Sequence, residues 1–147
     1  MICTALLAVV GLDVAPAPKP VCAAVVEAAA EYHLPPVVLV SVAWHESRLD
    51  ADATNPHSGA YGPLQVMPSL READPVSDGA RLLREWMERE ADATVEAPTY
   101  LDIERALCRY TCGYRCEAPC GWADRRMALA ERTLWATQAC YSHEGEA

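Results

Sequence analysis

Apolar residues recur three and four apart over most of this chain, and no stretch alternates convincingly between apolar and polar positions, so the pattern predicts helices without a sheet. Pro16, Pro18 and Pro20 make a stiff, extended lead-in. Beyond it, residues 21–32 repeat Val25, Val26 and Ala29 at helical spacing, and His33-Leu34-Pro35-Pro36 breaks this first helix. Pro36 suits the first turn of a second helix, where a missing N–H costs little, and the apolar run then continues to about Ser47. Residues 49–61 change to Asp, Asn, Pro, Ser and Gly, the composition of an ordered loop. Residues 64–67 suit one short turn stopped by Pro68. Asp74-Pro75 opens a third helix that keeps Leu82, Leu83, Trp86 and Met87 on one face. Thr99 or Asp102 caps a fourth through Ile103, Ala106 and Leu107 to Tyr110. A last helix is expected over 122–137, with Met127, Ala130, Leu134 and Trp135 inward. The fold class is mainly α, a single domain of about five helices.

With 147 residues, 52% of them hydrophobic, the chain suits one compact domain with a real core. The expected division is a hydrophobic, signal-like segment and lead-in over 1–20, the folded domain over 21–141, and a tail over 142–147. The net charge of −9 is spread thinly, and basic residues cluster only at Arg125-Arg126. Duplex DNA and anionic lipid both need a basic surface, so nucleic acid is excluded as a main partner. The apolar N-terminal strip is too short to span a membrane and lacks a basic n-region. It resembles a secretory leader, which makes an exported, periplasmic or extracellular protein the expectation.

Glu46 ends the apolar run of the second helix. Helical spacing puts it on the stripe of Leu39, Val42, Ala43 and Leu49. A carboxylate facing a core loses solvation, which disfavours its ionised form and lets it keep a proton to donate. Standing alone at the end of an apolar helix, such a residue is more often a half-exposed terminus.

The surrounding residues reverse that balance. Trp44-His45-Glu46-Ser47-Arg48-Leu49, then Asn55-Pro56 and Ser58-Gly59-Ala60-Tyr61-Gly62-Pro63-Leu64-Gln65-Val66-Met67-Pro68, resemble the soluble-type lytic transglycosylases, which are similar in fold to goose-type lysozyme. Asp74-Pro75 through Gly79-Ala80-Arg81-Leu82-Leu83 resembles that family's third block, and residues 106–113 its Ala-Tyr-Asn-Ala-Gly block. Four blocks in order make a specific signal over roughly residues 21–138. Two departures stand out: Pro63 replaces a Leu of the Gly-Leu-Met-Gln block, and Thr111 replaces the Asn of the last block.

The resemblance implies a lysozyme-like domain with a catalytic cleft and peptidoglycan glycan strands as substrate. It implies cleavage of the bond between N-acetylmuramic acid and N-acetylglucosamine by Glu46 alone, forming 1,6-anhydro-muramoyl ends. It assigns Ser47, Tyr61, Gln65, Met67 and Tyr110 to substrate binding. No cofactor or metal is called for, and a monomer without stable membrane insertion is expected.

Plainer readings stand beside these. Ser47 also suits a helix terminus, Tyr110 a core tyrosine with a satisfied hydroxyl, and Asp50 and Asp52 solvated loop acids. If either Asp positions water, the enzyme is a lysozyme-type hydrolase instead. A silent wall-binding module is the non-enzymatic alternative, supported only by Pro63 and Thr111. Cys108, Cys112, Cys116 and Cys120 recur at zinc-ligand spacing, yet export favours disulfides among them with Cys22 and Cys140, Cys3 leaving with the leader.

Overall fold

The computed structural model describes residues 19–90 and 100–112. The leader-like segment, Thr99, the expected last helix, Cys116, Cys120, Cys140 and the tail lie outside the described residues, as does the Cys112 side chain. Among the described residues there is no strand, and the elements in order are α1 (Lys19–Glu31), α2 (Pro36–Ser47), a 3-10 turn (Pro68–Leu70), α3 (Pro75–Glu90) and α4 (Tyr100–Cys112). The chain is mainly α over these residues, as the periodicity predicts.

α1 starts at Lys19, so Pro20 belongs to its first turn instead of the lead-in. A proline there removes only an N–H that has no helical partner. The helix ends in a Schellman turn: the Leu34 N–H donates to the Ala29 carbonyl at 2.8 Å and the His33 N–H to the Ala30 carbonyl at 3.3 Å. His33 takes the left-handed conformation this turn needs, with φ of 53°. Leu34 then inserts into the core.

Pro36 occupies the start of α2, as its sequence position predicts. The single-stripe picture of this helix is too narrow, however. Every residue from Val37 to Ala43 is buried, and a helix that is apolar all round is surrounded by protein. Ser41 is accommodated there because its hydroxyl donates to the Val37 carbonyl at 2.6 Å.

Asp74 begins α3 by accepting from the Val76 and Ser77 N–H groups at 3.1 and 3.0 Å, with Pro75 in the first position. Ala80, Leu83 and Met87 are buried, while Leu82 and Trp86 pack at the edge of the core. α3 lies against α4, joined also by Arg109 and Glu90 at 2.7 Å, and α1 packs on both α2 and α3. Pro68 starts a 3-10 turn where it was expected to stop one, because its fixed φ suits the first position of a short helix.

Candidate functional site

The site is built where α2 leaves the core. Glu46 is half-buried there, past the fully buried stretch that ends at Ala43. Arg48 and Leu49 then both take positive φ, 57° and 61°. The Arg48 N–H closes the helix on the Trp44 carbonyl at 2.9 Å, and Leu49 turns back into the core with no exposed surface. Left-handed backbone costs a non-glycine residue about 1–2 kcal/mol, so packing of Leu49 holds the helix end in this shape. The Arg48 guanidinium stacks over the Trp44 ring at 5.3 Å.

The following loop is ordered by its own polar groups. The Asn55 side-chain oxygen accepts from the His57 and Ser58 N–H groups, and the Asp50 carboxylate from the Asp52 N–H. Thr54 pairs with Tyr61 and Tyr61 with Val66 in isolated antiparallel bridges. Gly62 is required at its position: its φ is 83°, and a Cβ there would lie 2.5 Å from the Pro75 Cβ. The loop therefore abuts the first turn of α3.

Three consecutive carbonyls of this loop each accept from a different side chain. Gly62 accepts from the Gln65 amide nitrogen at 2.9 Å, Pro63 from the Ser47 hydroxyl at 2.9 Å, and Leu64 from the Tyr110 hydroxyl at 2.6 Å. Gln65 spends its second N–H on the Ala53 carbonyl at 3.1 Å and holds its own backbone at φ of 50°. Ser47 has one proton to share between the Pro63 and Ala43 carbonyls, and its oxygen accepts from the Asp50 N–H at 3.2 Å. Burial pushes the Tyr110 phenol well above its ordinary range, so it stays a donor. Gly62, Pro63 and Leu64 are all buried, so these acceptors need protein partners.

Ser47, Gln65 and Tyr110 thus converge on one loop segment, and their donors serve its backbone. Glu46 precedes Ser47 at the half-buried end of α2. Tyr61 and Met67 lie further out. The Tyr61 hydroxyl donates to Asp52 at 3.2 Å, and this bond raises the Tyr61 phenol above its ordinary value. Met67 is 41% exposed. Thr111 bonds back to the Leu107 carbonyl at 3.0 Å within its own helix.

Sequence reasoning missed four participants. Asp78 is 1% exposed, and its carboxylate accepts from the Glu72 and Ala73 N–H groups. Arg81 ties the same turn down through the Leu70 carbonyl at 3.0 Å. Gly79 lets Leu64 sit against α3, since a Cβ on it would fall 2.4 Å from the Leu64 Cδ1. Arg71 stacks on Tyr61 at 5.1 Å. Asp78, Gly79 and Arg81 fall within the third family-like block, which assigned them no role, and nothing in the sequence marks Arg71.

No group of three or more metal-ligating side chains occurs among the described residues. No helix among them is long and apolar enough to cross a membrane. Residues 23–85 match the family model described as Transglycosylase SLT domain. The match takes in Glu46, Ser47 and the whole loop and stops before Tyr110, whose place here rests on its bond to Leu64. No curated protein and no solved structure matches the chain significantly.

Proposed function

We propose, from the premise that residues 23–85 are a segment of the transglycosylase SLT family, that the chain is a lytic transglycosylase of peptidoglycan with Glu46 as its general acid and base. The observation that carries this reading is the placement of Glu46 at the half-buried end of α2, one residue from the hydroxyl that holds the Pro63 carbonyl. A glycosidic oxygen leaves poorly until it is protonated, and a fixed carboxylic acid supplies that proton. Glu46 gives its proton to the oxygen leaving C1 of the muramoyl unit, and the unit's acetamido group stabilises the developing charge. The carboxylate then takes the proton of the 6-hydroxyl as that oxygen bonds to C1. The product is a 1,6-anhydro end, with no water consumed.

This mechanism needs no second carboxylate. Asp50 and Asp52 are engaged in loop hydrogen bonds, which gives a water-positioning role for them little support. An exported protein follows from a wall substrate.

Digestion of purified sacculi with mass analysis of the released muropeptides tests the proposal. Anhydro ends are expected, and Glu46→Gln should lower their release by about 10²–10⁴-fold while the chain stays folded. Products one water heavier, with reducing ends, would replace this reading with the hydrolase.

A further inference from the structure

Arg71 is an exposed guanidinium whose position is nevertheless constrained from two sides. It lies over the Tyr61 ring at 5.1 Å, and one of its N–H groups donates to the Gly59 carbonyl at 2.9 Å. Tyr61 is itself held, by backbone pairing with Val66 and by its hydroxyl on Asp52. The neighbouring acid Glu72 turns to Arg81 at 3.6 Å, and no ion pair of Arg71 occurs among the described residues. Between residues 49 and 70 there is no lysine or arginine; among the described residues Arg48 flanks the start of this loop and Arg71 its far end.

A stacked, planar guanidinium loses little further freedom on pairing with a carboxylate, and it presents parallel donors matched to one. The chain's net charge of −9 repels anions in general, so an anionic substrate needs a local cation of this kind. We propose that Arg71, steadied on Tyr61, recognises a carboxylate carried by the lactyl side of the glycan strand. This rests on the reading of the site as a peptidoglycan site. Two sources share that chemistry: the acidic peptide attached through the lactyl group, and the lactyl carboxylate itself once the peptide is removed.

Calorimetric binding in the Glu46→Gln background, where the strand is not cut, separates them. The ligands are peptide-bearing strands, amidase-stripped strands and carboxylate-free chitooligosaccharides of equal length. Arg71→Gln should reduce the preference for carboxylate-bearing strands over chitooligosaccharides about three- to tenfold. Arg71→Lys, which keeps the charge but not the planar fork, should fall between. A loss confined to peptide-bearing strands assigns the peptide carboxylate, and a loss shared with stripped strands assigns the lactyl one. An unchanged preference, or an equal loss for all three ligands, would overturn the proposal. A wild-type protein that binds strands but releases no anhydro products would sink the catalytic reading alone. One that cleaves strands with a preference indifferent to Arg71→Gln would sink the role of Arg71 alone.

Discussion

The Tyr110 hydroxyl donates to the Leu64 carbonyl at 2.6 Å across a sequence separation of 46 residues. This bond ties α4 to the loop that follows α2, and its acceptor end is buried. Leu64 has no exposed surface, so its carbonyl has no water to fall back on. Tyr110→Phe should therefore cost about 1–3 kcal/mol, the penalty of a buried acceptor left without a donor. Urea denaturation with an unchanged m-value measures it. A neutral result would mean that the loop relaxes to water once released.

Gly79 sets two principles against each other. Alanine in a helix interior is favoured over glycine by about 1 kcal/mol. A Cβ at residue 79, however, would lie 2.4 Å and 2.5 Å from the Leu64 Cδ1 and Cβ. Leu64 is branched, fully buried and held through its own carbonyl, so it cannot swing aside cheaply. Overpacking of this kind costs about 1–3 kcal/mol, and it should win. Gly79→Ala is expected to lower the thermal midpoint and to reduce muropeptide release beyond the loss of folded protein.

The helices were legible because each carries chemical punctuation: Pro36 opens α2, Asp74-Pro75 opens α3, and Gly59 and Gly62 mark the loop. What escaped is conformation or burial that no residue type announces. His33, Arg48, Leu49 and Gln65 all adopt positive φ, which glycine would have signalled and these residues do not. Their shape is imposed by burial of Leu34 and Leu49 and by the two side-chain bonds of Gln65. Motif resemblance singled out Glu46, Ser47, Gln65 and Tyr110, and the structure brings the last three onto one loop segment. The partners of these three were not legible, because the Gly62, Pro63 and Leu64 carbonyls have no side-chain identity to read. Asp78 has no role readable from the sequence, since its burial depends on the backbone of residues 72 and 73 arriving from outside the helix.

Asp74 makes stability depend on acidity. Its carboxyl sits below the ordinary carboxylate value, chiefly because the Ser77 backbone N–H donates to it. A group with a depressed folded-state pKa contributes stability above its unfolded value, and loses it as pH falls through the folded one. The loss therefore belongs to the range from about 4 downward. Asp74→Asn keeps a capping oxygen but cannot titrate, so its stability deficit at pH 7 should shrink on acidification below pH 4. Denaturation midpoints of both proteins across pH 2.5–7 check this, and a constant difference would refute it.

Ser47 offers the most local test of how the loop is held. Its hydroxyl bridges the end of α2 to the buried Pro63 carbonyl at 2.9 Å and receives the Asp50 N–H at 3.2 Å. Alanine there keeps the helix but removes both links, for an expected loss of about 1–2 kcal/mol. The loop should respond more than the core. The Gln65 N–H bonds to the Gly62 carbonyl and the Gly62 N–H to the Ala53 carbonyl, so slackening at Pro63 exposes both to opening. In Ser47→Ala, hydrogen exchange at Gly62 and Gln65 should accelerate by more than tenfold, a change of about 1.4 kcal/mol in local opening. Exchange at Leu83 and Met87, deep in α3, should follow only the global loss. Under the transglycosylase proposal, anhydro-muropeptide release should fall with loop protection. Equal acceleration across loop and core would instead assign Ser47 to the helix alone.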